Sequence, residues 1–127
     1  MTAGKRSRTQ ADCRGDNITP LAGPHPRTLY TLGVGTHLAC GTESIDPGSE
    51  VPMHAHADQE EVLFCTGGTG QLWFGDRIEP EAFTVGVMVL VPRAVRHRIA
   101  NLSGTDPLTL TWTLSPPSEP MEFKAAD

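Results

Sequence analysis

The sequence predicts an all-β domain, folded as a barrel or as a sandwich of two sheets. The chain has 13 Gly and 11 Pro in 127 residues, and these turn-forming residues are spread between short apolar stretches. Runs of strong helix-forming residues are few. A length of 127 residues suits one domain with its own core, and no internal repeat divides the chain further.

Apolar stretches bounded by turns predict eight or nine strands with short connections. The segment Asp46-Pro47-Gly48 marks one turn, because proline presets φ and glycine accepts a positive φ. The continuous apolar run Val87–Val91 predicts a strand that is buried on both faces. The predicted strands are Thr28–Leu32, Thr36–Ile45, Glu61–Thr66, Gly70–Phe74, Glu81–Val85, Val87–Val91, His97–Asn101 and Leu108–Leu114.

The chain is expected to divide into a leader and one folded domain. Residues 1–20 are polar and have no apolar period, which predicts a flexible leader. Residues 21–127 form the predicted β-barrel domain. The proline-rich segment Ser115–Pro120 near the C-terminus cannot continue a sheet.

Charge and cysteine content exclude several functional classes. The net charge is −5, and basic residues concentrate in the first 27 residues, so the rest of the chain is acidic. An acidic body argues against nucleic acid as a partner. No stretch is long and apolar enough to span a membrane, and no secretory signal is apparent, so no membrane partner is expected. Three widely spaced cysteines do not form a disulfide framework, which favours the cytoplasm.

Three histidines and a carboxylate form a candidate metal site. His54 and His56 are two residues apart, so in a strand both side chains point to the same face. A carboxylate follows at Glu60 or Glu61, and His97 begins another predicted strand. Imidazole and carboxylate are ordinary ligands of Fe, Mn, Ni, Cu and Zn, and four of them leave about two positions of an octahedral ion free. Each group taken alone is also compatible with a solvated surface.

The spacing of these residues resembles the two motifs of the cupin superfamily. Gly48, His54, His56, Glu61 and Gly68 resemble the first motif. The second motif is matched by Gly86, Pro92, Ala94, His97 and Asn101. The one departure is Ala94, where the family usually has glycine, so a slightly different local turn is expected. The resemblance covers about residues 28–115.

The resemblance implies a fold and a set of ligands. The fold is a single-domain cupin, that is, a double-stranded β-helix or jelly-roll barrel. The metal ligands are His54, His56, Glu61 and His97, with a divalent ion of unspecified identity and no other cofactor. Glu61 is preferred to Glu60 because it aligns with the strand–turn–strand of the family, and a one-residue slip would turn the side chain to the other face.

The same resemblance implies a metal-dependent enzyme that acts on a small molecule. Oxygenase-type chemistry, such as that of a dioxygenase, is the leading hypothesis, and the catalytic residues are not identified. The alternatives are a zinc-type aromatic polyketide cyclase or isomerase, and a sensor that binds a ligand without turnover. Small cupins often dimerise, so a homodimer is expected. Candidate pocket residues, each also compatible with an ordinary core position, are Tyr30, Cys65, Trp73, Phe83 and Met88.

Overall fold

The structure, a computed structural model, describes residues 18–117. Residues 1–17 and 118–127, and with them most of the predicted leader and the end of the predicted domain, lie outside the described residues. Ten strands are described: β1 (Ile18–Leu21), β2 (Arg27–Val34), β3 (Ala39–Ile45), β4 (Glu50–His54), β5 (Glu60–Gly67), β6 (Thr69–Phe74), β7 (Glu81–Thr84), β8 (Met88–Val91), β9 (His97–Asn101) and β10 (Leu108–Ser115).

The strands form two antiparallel sheets. The larger sheet has the order β1-β2-β3-β10-β5-β8, and the smaller sheet has the order β4-β9-β6-β7. Strand β10 lies in the middle of the larger sheet, where it pairs with β3 on one side and β5 on the other. The prediction of an all-β barrel or sandwich is therefore confirmed.

The core lies between the two sheets and is built by alternation along the strands. On β10 the side chains of Leu108, Leu110, Trp112 and Leu114 are all buried, whereas the residues between them are half-buried. Strands bury every second residue because successive side chains point to opposite faces. Burying one such apolar side chain stabilises the fold by about 1.5–3 kcal/mol.

One side chain of the second motif, Asn101, joins the turn after β3 to the loop between β9 and β10. Its buried side-chain amide donates to the carbonyl oxygens of Ile45 at 3.0 Å, Asp46 at 3.1 Å and Asp106 at 2.9 Å. Its Oδ1 accepts a hydrogen bond from the backbone N–H of Ser103 at 2.9 Å. These bonds fix the end of β9 to the turn after β3, so the two motif segments are held in a defined relative position.

Ala94, which occupies the position of the usual glycine in the second motif, adopts a left-handed backbone conformation typical of glycine. Ala94 has a φ of 65°, and it is the one described non-glycine residue of positive φ. Its backbone N–H donates to the carbonyl oxygen of His56 at 2.8 Å. The expected difference in the turn is therefore not found, and the left-handed conformation of alanine costs roughly 1–2 kcal/mol.

The prediction for the run Val87–Val91 was wrong. Met88 and Leu90 are 66% and 59% exposed, whereas Val91 is 1% exposed. The run forms β8 at the edge of the larger sheet, where only the inner face is covered by the other sheet. A continuous apolar run cannot by itself distinguish an edge strand with one uncovered face from a central strand.

Two strands were not anticipated. Strand β1 includes Ile18–Pro20, which the sequence assigned to the leader, and it pairs with β2 in the register Ile18↔Tyr30 to Leu21↔Arg27. Strand β4 ends at His54, and its residues before the histidine pair had not been assigned to a strand. Within residues 18–117, no helix is long and apolar enough to cross a membrane.

Candidate metal centre

The structure brings together the four residues predicted as metal ligands. One potential ligand atom from each of His54, His56, Glu61 and His97 lies within 4.8 Å of the others, and all four side chains are buried. The imidazole centroids are 4.2–5.7 Å apart. Atoms that coordinate one ion at about 2.1 Å cannot be more than about 4.2 Å from each other. The cluster is therefore nearly compact enough to hold a metal ion without rearrangement.

Both sheets contribute to the cluster. His54 ends β4 and His97 begins β9, and these two residues are direct register partners in the smaller sheet. Glu61 lies on β5 of the larger sheet. The two sheets face each other, so the carboxylate meets the imidazoles between them.

The expectation that His54 and His56 share one strand was wrong in part. Strand β4 ends at His54, and a register irregularity precedes it between Val51 and His54. His56 lies in the following loop, where its carbonyl oxygen is held by the N–H of Ala94 at 2.8 Å. Both imidazoles are nevertheless buried in the cluster, because the loop bond replaces the strand pairing that would have positioned His56.

The hydrogen bonds of the imidazoles favour a cation at this site. The Nδ1 atoms of His54 and His97 lie 2.8 Å and 3.1 Å from the carbonyl oxygens of Pro52 and Val95, so each Nδ1 carries a hydrogen. The Nε2 atom of His97 lies 3.1 Å from Oε1 of Glu61. A neutral ring has only one N–H, so this Nε2 turns a lone pair toward the carboxylate unless a proton or a metal ion lies between them.

The backbone contacts at Nδ1 match a common feature of metal sites. Histidine ligands usually donate their second N–H to a carbonyl or carboxylate, which orients the ring and fixes the tautomer. His54 and His97 both do this. The donor set of three nitrogens and one oxygen also suits a divalent transition metal. The residues present therefore fit a metal ion.

Burial and mutual contacts set the ionisation of the cluster. Burial, together with the neighbouring His97, lowers the pKa of His54 to about 4, so this ring is neutral at ordinary pH. Burial raises the pKa of Glu61, but hydrogen bonds with His56 and His97 outweigh burial and leave the pKa at about 2. A neutral imidazole and an ionised carboxylate are the forms that coordinate metals.

The choice between the two adjacent glutamates is resolved by burial. Glu61 is 7% exposed and belongs to the cluster. Glu60 begins β5 with its side chain exposed, because neighbouring residues of a strand point to opposite faces.

The cluster opens into a cavity whose other walls the sequence did not predict. Trp112 lies on one wall, above Gly41, where an added Cβ would come within 2.8 Å of Cζ2 of the ring. Arg27 and Glu43 also line the cavity and form an ion pair. The lining residues are Arg27, Leu29, Glu43, Val51, Pro52, His54, His56, Glu61, Leu63, His97, Ile99 and Trp112.

The pocket residues predicted from the sequence do not line this cavity. Cys65 and Phe83 are fully buried in the core. The Trp73 ring is covered by the guanidinium of Arg98 at 4.4 Å, and Met88 is exposed on β8. Tyr30 alternates with the buried Leu29 and Thr31, so it points to the outer face of β2. Residue type alone predicts a large side chain but not the face it occupies.

Comparison with known proteins places the chain in a family. The sequence profile of the cupin domain family matches residues 41–114, which are more than half of the chain and include both motifs. The chain belongs to the cupin family. The protein SchB of Streptomyces halstedii is 28% identical over 103 residues, which cover 81% of this chain and 68% of SchB.

Solved structures agree with the fold of this cupin. An RmlC-like cupin from Shewanella frigidimarina is 20% identical to this chain and superposes with a TM-score of 0.74. The alignment covers 92% of this chain and 98% of the other. A protein from Bacillus halodurans is 25% identical, with a TM-score of 0.67 and 72% of each chain covered. A likeness at this level of identity supports the architecture.

Proposed function

We propose that this cupin is a metal-dependent enzyme that acts on a small organic molecule, with oxygenase-type chemistry as the leading reaction. The observation that supports the proposal is the buried cluster of His54, His56, Glu61 and His97, which opens into a cavity within the same chain. Four protein ligands leave about two positions for small ligands on an octahedral ion. Burial of the four groups without such an ion would leave three imidazoles and a carboxylate desolvated at considerable cost.

The chain's own residues would hold the ion and exclude water around it. The three imidazoles and Glu61 would be its ligands. The apolar side chains of Leu63, Ile99 and Trp112 line the space beside them and would limit the access of solvent. When bound, a redox-active ion would support electron transfer with dioxygen, and a zinc-type ion would polarise a carbonyl group.

A second candidate is a non-redox cyclase or isomerase, such as an aromatic polyketide cyclase. The observation that favours it is the pair Arg27–Glu43 in the same cavity, with Nε and Oε2 2.8 Å apart. A carboxylate beside a guanidinium can exchange a proton with a substrate while the cation stabilises an oxyanion. Proton transfer of this kind is sufficient for ring closure or isomerisation without dioxygen.

Metal content and oxygen consumption distinguish the two candidates. The protein purified without added metal is analysed by inductively coupled plasma mass spectrometry, and oxygen uptake is followed with a panel of enols, catechols and β-diketones. Iron with oxygen uptake supports the oxygenase. Zinc without oxygen uptake, together with ring closure or isomerisation of a panel compound, supports the alternative.

Two histidine variants test whether metal and activity depend on the cluster. The His97→Ala variant should lose both metal and activity, whereas the variant of the exposed His37, His37→Ala, should retain them. Full metal loading with ligand binding and no turnover would support a sensor. A wild-type protein that binds no divalent transition metal at neutral pH would overturn the proposal as a whole.

We also propose that the chain forms a homodimer in the cytoplasm. Strand β8 is an edge strand whose outward Met88 and Leu90 are more than half exposed. Self-pairing of two β8 strands would satisfy the edge and bring these side chains into cross-strand contact with their copies. Cys40 and Cys65 are both free thiols, which suits a reducing compartment. Sedimentation should show a dimer for the wild type and a monomer for the Met88→Thr/Leu90→Thr variant. A monomeric wild type would contradict the assembly.

A further inference from the structure

The pair Arg27–Glu43 occupies an unusual position for two charged residues. Both are on inward-facing positions of the larger sheet, and their side chains are only 17% and 10% exposed. The register partners of Glu43 are Leu29 on β2 and Leu110 on β10, which are 5% and 0% exposed. A carboxylate in such a wall destabilises the fold relative to an apolar residue. A buried ion pair in the wall of a cavity is therefore a candidate for a functional role.

The contacts of the pair leave part of its binding capacity unused. Its one ion-pair contact joins Nε of Arg27 to Oε2 of Glu43 at 2.8 Å. Among the described residues, neither of these atoms has an aligned hydrogen-bond partner, although both are buried. A guanidinium has five N–H donors in a planar fork that suits a carboxylate bidentately. The described residues therefore satisfy only a small part of what Arg27 can bind.

The pair shares one cavity with the metal centre and with Trp112. On β10 the inward residues Leu110, Trp112 and Leu114 follow one another, and Leu110 is the register partner of Glu43. Leu114 is the register partner of Glu61 on the other side of β10. Trp112 therefore lies on β10 between the register partners of the two carboxylates. A planar ligand that contacted both polar regions of the cavity would lie close to its ring.

We propose that Arg27 and Glu43 form a subsite for an anionic oxygen at the distal end of a planar organic acid whose other end is bound at the four-ligand centre. The carboxylate of such a ligand replaces Glu43 as the partner of Arg27. Glu43 takes a proton from solvent, so that two carboxylates do not face each other as anions. This inference rests on the proposed function, because the proximal end of the ligand needs a bound metal.

The ionisation of Glu43 agrees with this role. Burial raises the pKa of Glu43 to about 7, although the nearby Arg27 acts to lower it, and the charge of Glu61 adds to the increase. In the metal-free chain the carboxyl group is thus close to accepting a proton at neutral pH. Replacement of its cation partner by a ligand anion promotes that step further.

A pair of matched ligands tests the subsite on the metal-loaded protein. The ligands are 3,4-dihydroxybenzoate and catechol, which share the chelating hydroxyl groups and differ in the distal carboxylate. The wild type should prefer the carboxylate by about tenfold or more in Kd, the usual scale for a charge-assisted hydrogen bond. The variant Arg27→Met should lose this preference while its catechol affinity and metal content stay unchanged, and Arg27→Lys should retain part of it. The exposed Arg77 provides the control Arg77→Met.

Proton uptake gives a second measurement that a merely structural role would not change. Chelation releases hydroxyl protons of dihydroxybenzoate in every variant, so the protonation of Glu43 is read as a difference between proteins. Calorimetry at pH 8, in two buffers of different ionisation enthalpy, should show that the wild type releases up to one proton fewer than Glu43→Gln when it binds this ligand. The variant Glu43→Gln should bind the ligand at least as tightly. The control Glu79→Gln, at an exposed position, should behave as the wild type.

The outcomes separate this inference from the proposed function. Absence of metal in the wild type would overturn both. Metal retention and catechol binding without a preference for dihydroxybenzoate, or an unchanged preference in Arg27→Met, would overturn the subsite alone. If a single variant fails to fold, the double variant Arg27→Met/Glu43→Gln leaves neither charge buried. It should bind catechol normally, with no carboxylate preference and with the same proton release on binding dihydroxybenzoate as Glu43→Gln.

Discussion

The two polar regions of the cavity differ in how firmly their side chains are held. At the four-ligand centre, two imidazoles are anchored by backbone carbonyls, and the remaining nitrogens converge on Glu61. At the other region, the one polar side-chain contact described for Arg27 and Glu43 is the ion pair that they form with each other. A site for a permanent ion is built from fixed atoms, whereas a subsite for an exchangeable ligand needs groups that can change partner. The difference agrees with the proposal that the first region holds a metal ion and the second recognises a ligand.

The largest effect is expected from the fixed region. Replacement of His97 by Ala removes a ligand that is completely buried and contacts Glu61 at 3.1 Å. We expect metal affinity to fall at least about 100-fold, beyond the effect of losing an outer partner of a ligand, while the β-sheet circular dichroism is retained. Metal stoichiometry by mass spectrometry measures the loss. Equal metal content in His97→Ala and His37→Ala would show that His97 is not a metal ligand.

A smaller effect is expected when the exchangeable pair is broken. Arg27→Met leaves Glu43 buried without its cation, which should lower the free energy of unfolding by roughly 3 kcal/mol at pH 8. The double variant Arg27→Met/Glu43→Met should recover most of this loss, since no buried charge then remains. Urea denaturation of the metal-free protein measures both. Equal stability of the wild type and Arg27→Met would show that the pair is more solvated than its exposure indicates.

The two regions should also respond to pH in opposite directions. Glu43 has a pKa of about 7 in the folded chain against an ordinary value of 4.5, so the folded state binds this proton more tightly than the unfolded state. Its stabilising contribution is fully present below pH 4.5 and is lost as the pH rises through about 7. The pKa of Glu61 is lowered to about 2, so its contribution is present above pH 4.5 and is lost in acid.

Thermal melts of the metal-free protein between pH 5 and pH 8 separate these contributions. The Tm of the wild type should decrease over this range relative to that of Glu43→Gln, because only Glu43 changes its charge in this window among these two carboxylates. Parallel Tm curves for the two proteins would show that Glu43 is ionised throughout the range.

The smallest effect concerns the turn that supports the fixed region. Ala94→Gly should raise the free energy of unfolding by about 0.5–1 kcal/mol, since glycine adopts a positive φ without strain but loses more backbone entropy. The N–H of residue 94 would still donate to His56, so metal affinity should not change. Urea denaturation and metal titration of the two proteins check this. A destabilised variant would mean that the methyl group of Ala94 contributes to packing.

The sequence predicted the fixed region better than the exchangeable one for physical reasons. The predicted ligands His54, His56, Glu61 and His97 belong to two compact motifs whose spacing can be read without a structure. Arg27 and Glu43 belong to neither motif, and only the register of β2, β3 and β10 brings them to the cavity. A possible indication was present, because Glu43 alternates with Ile45 on a predicted strand and therefore points inward with it.

The wrong prediction of burial for β8 has the same cause, because burial there also depends on how the strands pair. The strand was predicted correctly, but the exposure of Met88 and Leu90 depends on the position of the strand in the sheet. Strand order is set by pairings between distant segments, which local patterns do not record. The all-β fold, in contrast, follows from turn residues and alternation that are local.

The hydrogen bonds of Asn101 have a consequence for the order of folding. Two of them connect residues 55 and 56 positions apart, and the register pair of His54 and His97 also closes a long loop. Contacts between such distant residues form late and slow the folding of β proteins. The metal centre should therefore be absent from early intermediates, and an ion added during refolding should slow unfolding far more than it accelerates folding.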